Sequence, residues 1–219
     1  MSYGVEIGTA IVSYIEPHPG HAVDFNRWYE RDHFPATVTG GPGVFSGARF
    51  VATRACKAMR PPGGRLFGDP GRGSYLAVAW VLAGKQGEWD AWVAREMETI
   101  SAQGRLFPHR DHVHTAVYRF VDGSPGAITA LDRGYGGVLA VVLAPNQTGA
   151  VRSDHDVVTL RLERTILSEA EPPAHDLVLI FCDDPAAVYG AAGAAFAGCA
   201  FASPFLATVP GTDTYADDL

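Results

Sequence analysis

Little in this sequence points to disulfides, nucleic acid or membranes. Cysteine occurs three times in 219 residues at scattered positions, which predicts a reduced, cytoplasmic protein rather than a disulfide-stabilised one. Basic residues form no run and the formal net charge is −7, so nucleic acid and anionic membrane surfaces are poor partners. No apolar segment reaches about 18 residues, and no basic stretch precedes an apolar one at the N-terminus. The sequence therefore predicts neither a membrane span nor a secretory signal.

Several signatures of cofactor or nucleophile chemistry are missing as well. The chain has no G-x-S-x-G elbow and no dinucleotide-binding fingerprint after a strand. The glycine-rich stretch 40–43 lacks the lysine of a phosphate-binding loop. We therefore expect no dedicated cofactor.

The sequence does have the composition of a folded protein. Hydrophobic residues make up 47% of the chain and charged residues 19%, which is enough apolar material for a real core. The first half predicts the element order β-α-β-β-α-β of a ferredoxin-like split unit. Its predicted strands are residues 5–15, 44–54, 75–83 and 112–121, and its predicted helices are residues 21–34 and 86–103.

A break at residues 122–126, with the sequence Asp-Gly-Ser-Pro-Gly, separates this half from a partial repeat of the pattern. The first helix of the repeat is nearly absent, because residues 146–156 are too few and too polar. We therefore predict an α+β protein with a first ferredoxin-like unit at 1–122 and a second, degenerate unit at 127–219. The open face of one such sheet must be buried, which favours two units packed sheet to sheet. Predicted elements of the second unit are strands 137–144, 157–167, 177–182 and 205–209 and helix 185–198.

The most informative segment is the predicted helix 21–34. Phe25, Trp28 and Tyr29 fall at i, i+3 and i+4 and so share one face. His33 follows Tyr29 by four residues, so the two side chains can touch near the helix end. An unperturbed imidazole titrates near neutral pH and can act as a general acid or base. His33 is therefore the first catalytic candidate, with Tyr29 and Asp32 to orient it; the alternative is a cationic cap on the helix dipole.

The same segment resembles a known family. The order W-Y-x-x-x-H-x-P from Trp28, then Pro42-Gly43-Val44, then Ala48-Arg49-Phe50, is similar to the EthD-like group of the dimeric α+β barrel superfamily. The specific motif spans residues 25–51, and the element order extends the resemblance to about residue 121. The resemblance implies that the two units form an internal dimeric α+β barrel. The chain would then be a monomeric pseudo-dimer or a homodimer.

A second polar cluster occupies residues 109–114. On a regular strand His112 and His114 alternate with Val113 and face the same side, so either could polarise a substrate oxygen. With His109 or Asp111 they could also bind zinc or iron, but the spacing matches no established ligand set. We therefore predict no metal site.

Aromatic and basic residues on predicted strands are candidates for substrate binding. Tyrosine hydroxyls could donate to a substrate carbonyl, and Arg49 could hold a carboxylate through two hydrogen bonds. The alternative is that the aromatic rings fill the core. The substrate-binding candidates are Trp28, Arg49, Tyr75, Trp80 and Tyr118.

The resemblance also implies a class of chemistry. Fold relatives include polyketide cyclases, dehydratases, decarboxylases and lactone isomerases, which share proton transfer beside a carbonyl in an apolar pocket. It thus implies a cofactor-independent lyase or cyclase of secondary metabolism, acting on a small, mostly apolar, carbonyl-containing metabolite such as a polyketide-like intermediate. Two alternatives stay open: a cofactor-free or haem-dependent monooxygenase of the same superfamily, and a non-catalytic small-molecule binding or accessory protein.

Overall fold

Apolar and β-branched segments of the sequence form eight strands that close into one antiparallel barrel. The computed structural model describes residues 5–62, 69–124, 131, 134–143, 154–196 and 198–219. Around the barrel the strands follow the order β1-β3-β2-β8-β5-β7-β6-β4. Their bounds are β1 Ile7–Pro17, β2 Val44–Val51, β3 Tyr75–Leu82, β4 Arg110–Gly123, β5 Gly137–Leu143, β6 Asp156–Ser168, β7 Asp176–Cys182 and β8 Phe201–Ala207.

The described helices are few and mostly short, and they lie outside the barrel. The longest is α3, which covers Gln86–Ala102. The others are α1 Ala22–Trp28, α2 Arg54–Ala58, α4 Pro185–Phe196, two π-helical segments at Tyr29–His33 and Pro35–Thr39, and a 3₁₀ turn at Ala216–Asp218. No helix in the described ranges is both long and apolar enough to cross a membrane.

The predicted fold class is wrong. The structure is a closed eight-stranded β-barrel with few helices, not an α+β assembly of two ferredoxin-like sheets packed face to face. The predicted sheets are joined instead, because β4 pairs with β6 and β2 pairs with β8. Backbone pairing at both borders satisfies the edge amides and carbonyls that two separate sheets would leave open. The tandem ferredoxin-like repeat, the dimeric α+β barrel and the lyase or cyclase assignment attached to them lose this support.

The boundary between residues 122 and 127 stays a prediction, and residues 125–130 lie outside the described ranges. Most of segment 146–156, where we expected a missing helix, also lies outside them.

Side chains of the barrel wall alternate between two environments. On β1, Val12 and Tyr14 point into the barrel and join an interior core with Trp80 and Tyr118. Ile11 and its outward-facing neighbours instead pack against the helices. The outer face of β1 therefore packs against helical residues, in a cluster separate from the interior of the barrel.

The barrel closes unevenly. β4 pairs with β6 along the stretch from His114 to Gly123, with several register shifts. On the other side, β2 pairs with β8 only at Phe50 and Val51, and the N–H of Thr208, just after β8, donates to the carbonyl of Arg49. We call this short junction the seam.

A fragment of residues 1–123 is expected to self-associate. Removing the remaining chain takes away β5–β8 and uncovers the interior side chains Val12, Tyr14, Trp80 and Tyr118, all of which are buried. A large exposed apolar face of this kind tends to associate with other copies of the fragment in water. Size-exclusion chromatography with light scattering should show dimers or larger species, with the full chain at equal concentration as control. A well-folded monomeric fragment would contradict this dependence of one half of the barrel on the other.

Candidate functional site

A cavity of about 540 Å³ lies between the outer face of the barrel and the helices. Residues of β1, β4, β6, α3 and the two π-helical segments line it, and we call it the helix-side pocket. A cavity of this size holds a small organic molecule. Its apolar wall includes Ile11, Val38, Trp89, Val93, Met97 and Leu106, and its polar residues include Tyr29, His33, Thr37, Arg110, His112 and Thr115.

The helix that follows β1 widens where it reaches this pocket. Pro35 has no amide hydrogen and cannot continue the α-helical bonding pattern. The N–H of Phe34 instead donates to the carbonyl of Tyr29, five residues back, and the Thr37 hydroxyl donates to the carbonyl of His33 at 2.7 Å. Such π-turns are rare and frequently occur at functional sites. Here they place Tyr29 and His33 together on the pocket wall.

His33 is packed among aromatic rings. Its imidazole stacks on Trp28 with ring centroids 4.5 Å apart and meets the Tyr29 ring edge-on at 5.1 Å. Only 8% of the residue is exposed, and its buried Nδ1 has no hydrogen-bond partner among the described residues. Contact with Tyr29 was predicted from the spacing and is present.

Burial makes His33 a neutral imidazole. Desolvation, reinforced by the positive charge of Arg110 and by His112, lowers the pKa of His33 to about 3. The expectation of an imidazole that titrates near neutral pH is therefore wrong. A neutral ring cannot stabilise the helix dipole as a cation, which removes the alternative role of His33 as a charged cap.

Tyr29 and Asp32 have different surroundings from those expected. Burial raises the pKa of Tyr29 to about 12, so its phenol stays protonated and can donate a hydrogen bond into the pocket. The Asp32 carboxylate is paired with the Arg105 guanidinium through two hydrogen bonds. That pairing lowers the pKa of Asp32 and directs its oxygens to Arg105. Asp32 is thus not the orienting partner of His33.

His112 and His114 lie on opposite sides of the barrel wall. The pairing of β1 with β4 matches Tyr14 with His114 but Ile15 with His112, so Val113 is an extra residue in β4. Such a bulge breaks the alternation of side chains. The expectation that the two imidazoles share a face is therefore wrong. His112 lines the helix-side pocket and accepts or donates a hydrogen bond with Thr115 at 3.0 Å.

His112 resembles His33 in its charge state. Burial, followed by the nearby Arg110, lowers the pKa of His112 to about 4. Both imidazoles of the helix-side pocket are therefore neutral at neutral pH, and each has one N–H and one acceptor nitrogen.

Inside the barrel, His114 belongs to a buried hydrogen-bonded chain. The Nδ1–H of His175 donates to the carbonyl of Pro173 at 2.8 Å, which leaves its Nε2 to accept from the Tyr118 hydroxyl at 2.7 Å. The Tyr118 oxygen in turn accepts from Nε2 of His114 at 2.9 Å. These side chains are satisfied by one another and connect β4 to the start of β7, which makes the chain a structural network. Tyr118 and His114 are therefore separated from the helix-side pocket.

Trp28 and Tyr75, two of the substrate-binding candidates, are not among the residues that line the helix-side pocket. Trp28 stacks behind His33, and its indole N–H donates to the carbonyl of Arg105 at 2.7 Å. Tyr75 is buried in the core against Phe25, with ring centroids 5.0 Å apart.

Arg49 and Trp80 line a second cavity. This cavity of about 400 Å³ lies beside the seam, with Ala48 and Phe181 among its lining residues. Arg49 is already engaged: its Nη2 donates to Asn26 at 3.0 Å and its guanidinium lies 4.7 Å from the Tyr29 ring centroid. We call this cavity the seam cavity.

The described residues contain no group of three or more histidine, cysteine, aspartate or glutamate side chains that could hold a metal ion. Asp111, the acid of the predicted cluster, is bound by His18 at 3.1 Å and by Arg72. The side chains of residues 109–114 therefore point to different places: His109 stacks on His21, His112 lines the helix-side pocket, and His114 bonds to Tyr118 inside the barrel.

Sequence reasoning missed Arg110, a cation that lines the pocket. Its guanidinium lies 4.7 Å over the Trp28 ring, and burial lowers its pKa. It also missed the contributions of α3 and β6, which supply Trp89, Met97 and Ile166 to the wall. A hint was present for Arg110, because it lies two residues before His112 and so shares a face with it on a regular strand. No protein-family model matches this chain, and no curated protein sequence matches it significantly.

Proposed function

We propose that this protein is an enzyme that removes a proton beside the carbonyl of a small, mostly apolar molecule bound in the helix-side pocket. His33 is the proton acceptor in this proposal. The observation that carries it is a neutral imidazole on the wall of an apolar cavity, with a buried Nδ1 that has no hydrogen-bond partner among the described residues. A neutral imidazole has a free lone pair at neutral pH, which is what a general base needs.

Neighbouring groups support the developing charge. Proton removal beside a carbonyl creates an enolate oxygen, which hydrogen-bond donors stabilise. The protonated Tyr29 phenol and the N–H of His112 line the same cavity and are the proposed donors. As the enolate forms, its negative charge raises the proton affinity of His33 and offsets the effect of burial.

A second candidate is a binding protein without chemistry. It is favoured by the low pKa values of His33 and His112, about 3 and about 4, because such imidazoles are weak bases in the empty pocket. Binding without turnover would distinguish this function from the first.

Further parts of the proposal concern setting and relationship. We propose a cytoplasmic location, supported by three free cysteines, and a reaction that uses no cofactor. We also propose a relationship to the EthD-like group. It rests on the motif at residues 25–51 alone, because the fold implied by that resemblance is not the one observed.

Deuterium exchange tests the proposed chemistry directly. The full chain is incubated in deuterated buffer with 2-tetralone, a small apolar ketone, and loss of its α-proton signals is followed by NMR. We expect exchange faster than in buffer or with heat-denatured protein, and the same rate after dialysis against a chelator. Binding of 2-tetralone with exchange at the buffer rate would favour the binding protein and contradict the enzyme.

A further inference from the structure

Arg110 is a largely buried cation that pairs with no carboxylate in the part of the chain that the structure describes. Its Nη1 donates to the carbonyl oxygen of Phe107, and its guanidinium lies over the face of Trp28. Its Nε is buried and has no hydrogen-bond partner within the described ranges. Removing a cation from water is unfavourable unless an anion or several acceptors compensate. The Arg110 guanidinium would therefore be stabilised by a further hydrogen-bond acceptor, above all a negatively charged one.

The carboxylates around the helix-side pocket are engaged by other cations. Asp90, which lines the pocket, is paired with Arg164 and also accepts a hydrogen bond from Gln86. Asp32 is held by Arg105.

Asp111, next in sequence to Arg110, is held by His18 and Arg72 instead. The described acids near Arg110 thus leave its charge to be balanced by something that enters the pocket.

The other pocket residues define the rest of the ligand. His33 and His112 are neutral at neutral pH, so they do not compete with Arg110 for an anion. The wall formed by Ile11, Val38 and Met97 is apolar. A ligand with an apolar body and one charged end matches this division.

We infer that the helix-side pocket binds a small aromatic or alicyclic carboxylic acid as its carboxylate, with Arg110 as the charge partner. The inference rests on the proposed function for the location of the site and adds the class of substrate. In this inference the carboxylate oxygens accept charge-assisted hydrogen bonds from guanidinium N–H groups of Arg110 other than the Nη1 that donates to Phe107. The carbonyl-bearing body then lies beside His33 and Tyr29.

Calorimetric titration of the full chain with 2-naphthoate and 2-naphthamide tests this inference. The two probes share an apolar body and differ in charge. We expect the carboxylate to bind about 10- to 100-fold more tightly than the amide, as charge-assisted hydrogen bonds allow. Arg110→Met should abolish this difference and leave the affinity for the amide nearly unchanged. Arg95→Met, which removes an exposed guanidinium of α3 outside the residues that line the pocket, is the control and should retain the preference.

The comparison within the wild-type protein needs no variant and keeps the test decisive if Arg110→Met folds poorly. Equal affinities for the two probes, no binding of either, or a preference retained in Arg110→Met would each overturn the inference. Exchange of 2-tetralone without preference for 2-naphthoate would overturn the carboxylate alone. Preference for 2-naphthoate without exchange of 2-tetralone would support the carboxylate site and contradict the proposed chemistry.

Discussion

Replacing His33 by alanine is expected to slow deuterium exchange of 2-tetralone by a factor on the order of 10² to 10⁴. The variant removes the only proton acceptor that the proposal assigns, whereas Tyr29 and His112 stay to bind the carbonyl oxygen. His33→Gln keeps most of the volume and a hydrogen-bonding group but no basic nitrogen. It should therefore be nearly as slow as the alanine variant. Exchange is measured by NMR per folded molecule, with folding checked by thermal unfolding.

Two further variants make the result specific. Tyr29→Phe removes one donor to the enolate oxygen and should cause a smaller loss than either change at His33. His109→Gln alters a histidine that stacks on His21, outside the residues that line the helix-side pocket, and should leave exchange unchanged. Because His33 is 8% exposed and stacked on Trp28, the alanine variant will also melt at a lower temperature. Normal exchange in the folded alanine variant would leave His33 a purely structural role.

The protein is expected to lose stability steeply as the pH falls from about 6.5 towards 4. Burial lowers the pKa of His114 and His112 to about 4 and that of His33 to about 3, and it also lowers the pKa of His175. The unfolded chain binds protons at these histidines below about pH 6.5, whereas the folded chain does not, so acid favours unfolding. His114, which is fully buried, contributes about 3 kcal/mol of stability that is present above pH 6.5 and lost by about pH 4.

Urea unfolding at several pH values between 7.5 and 4.5 measures this loss as a falling free energy of unfolding. Carboxylates with a lowered pKa, such as Asp32 and Asp213, lose their contribution only near and below pH 4 and so do not explain a decline at pH 5–6. Replacing His114 by glutamine should flatten the decline, because glutamine does not titrate. A free energy of unfolding that stays constant between pH 7 and 5 would contradict neutral, buried histidines in the folded state.

Local sequence patterns predicted the positions of most strands, but they did not predict that the strands close into one barrel. The apolar stretches that became β1 to β7 were placed near their observed positions, because alternation is visible along the chain. The last strand was expected at residues 205–209 and lies at Phe201–Ala207. Its interior Pro204 is a residue that normally argues against a strand. Pairing of β4 with β6 joins segments far apart in sequence, and the same alternation fits separate sheets and a barrel.

The site was predicted in part for a similar reason. The contact between Tyr29 and His33 follows from helical spacing and needs no distant residue. The charge state of His33 depends on burial by other elements and on Arg110, which no local pattern reveals. The opposite placement of His112 and His114 depends on a single extra residue in β4, which is invisible until its partner strand is known.

The seam has a consequence for how copies of this protein would associate under partly denaturing conditions. β2 pairs with β8 only at Phe50 and Val51, and Arg49 is bonded to Thr208 just beyond β8. Parting of this short junction would open the barrel into a sheet with two new edges. Both edges are mostly apolar, with the sequences VFSGARFV and FASPFLA. Unpaired edges of this kind add strands from other chains, unless a proline or an inward-pointing charge blocks them. Pro204 in β8 is such a proline, so the border of the barrel with the fewest strand pairs carries one protection against edge-to-edge growth.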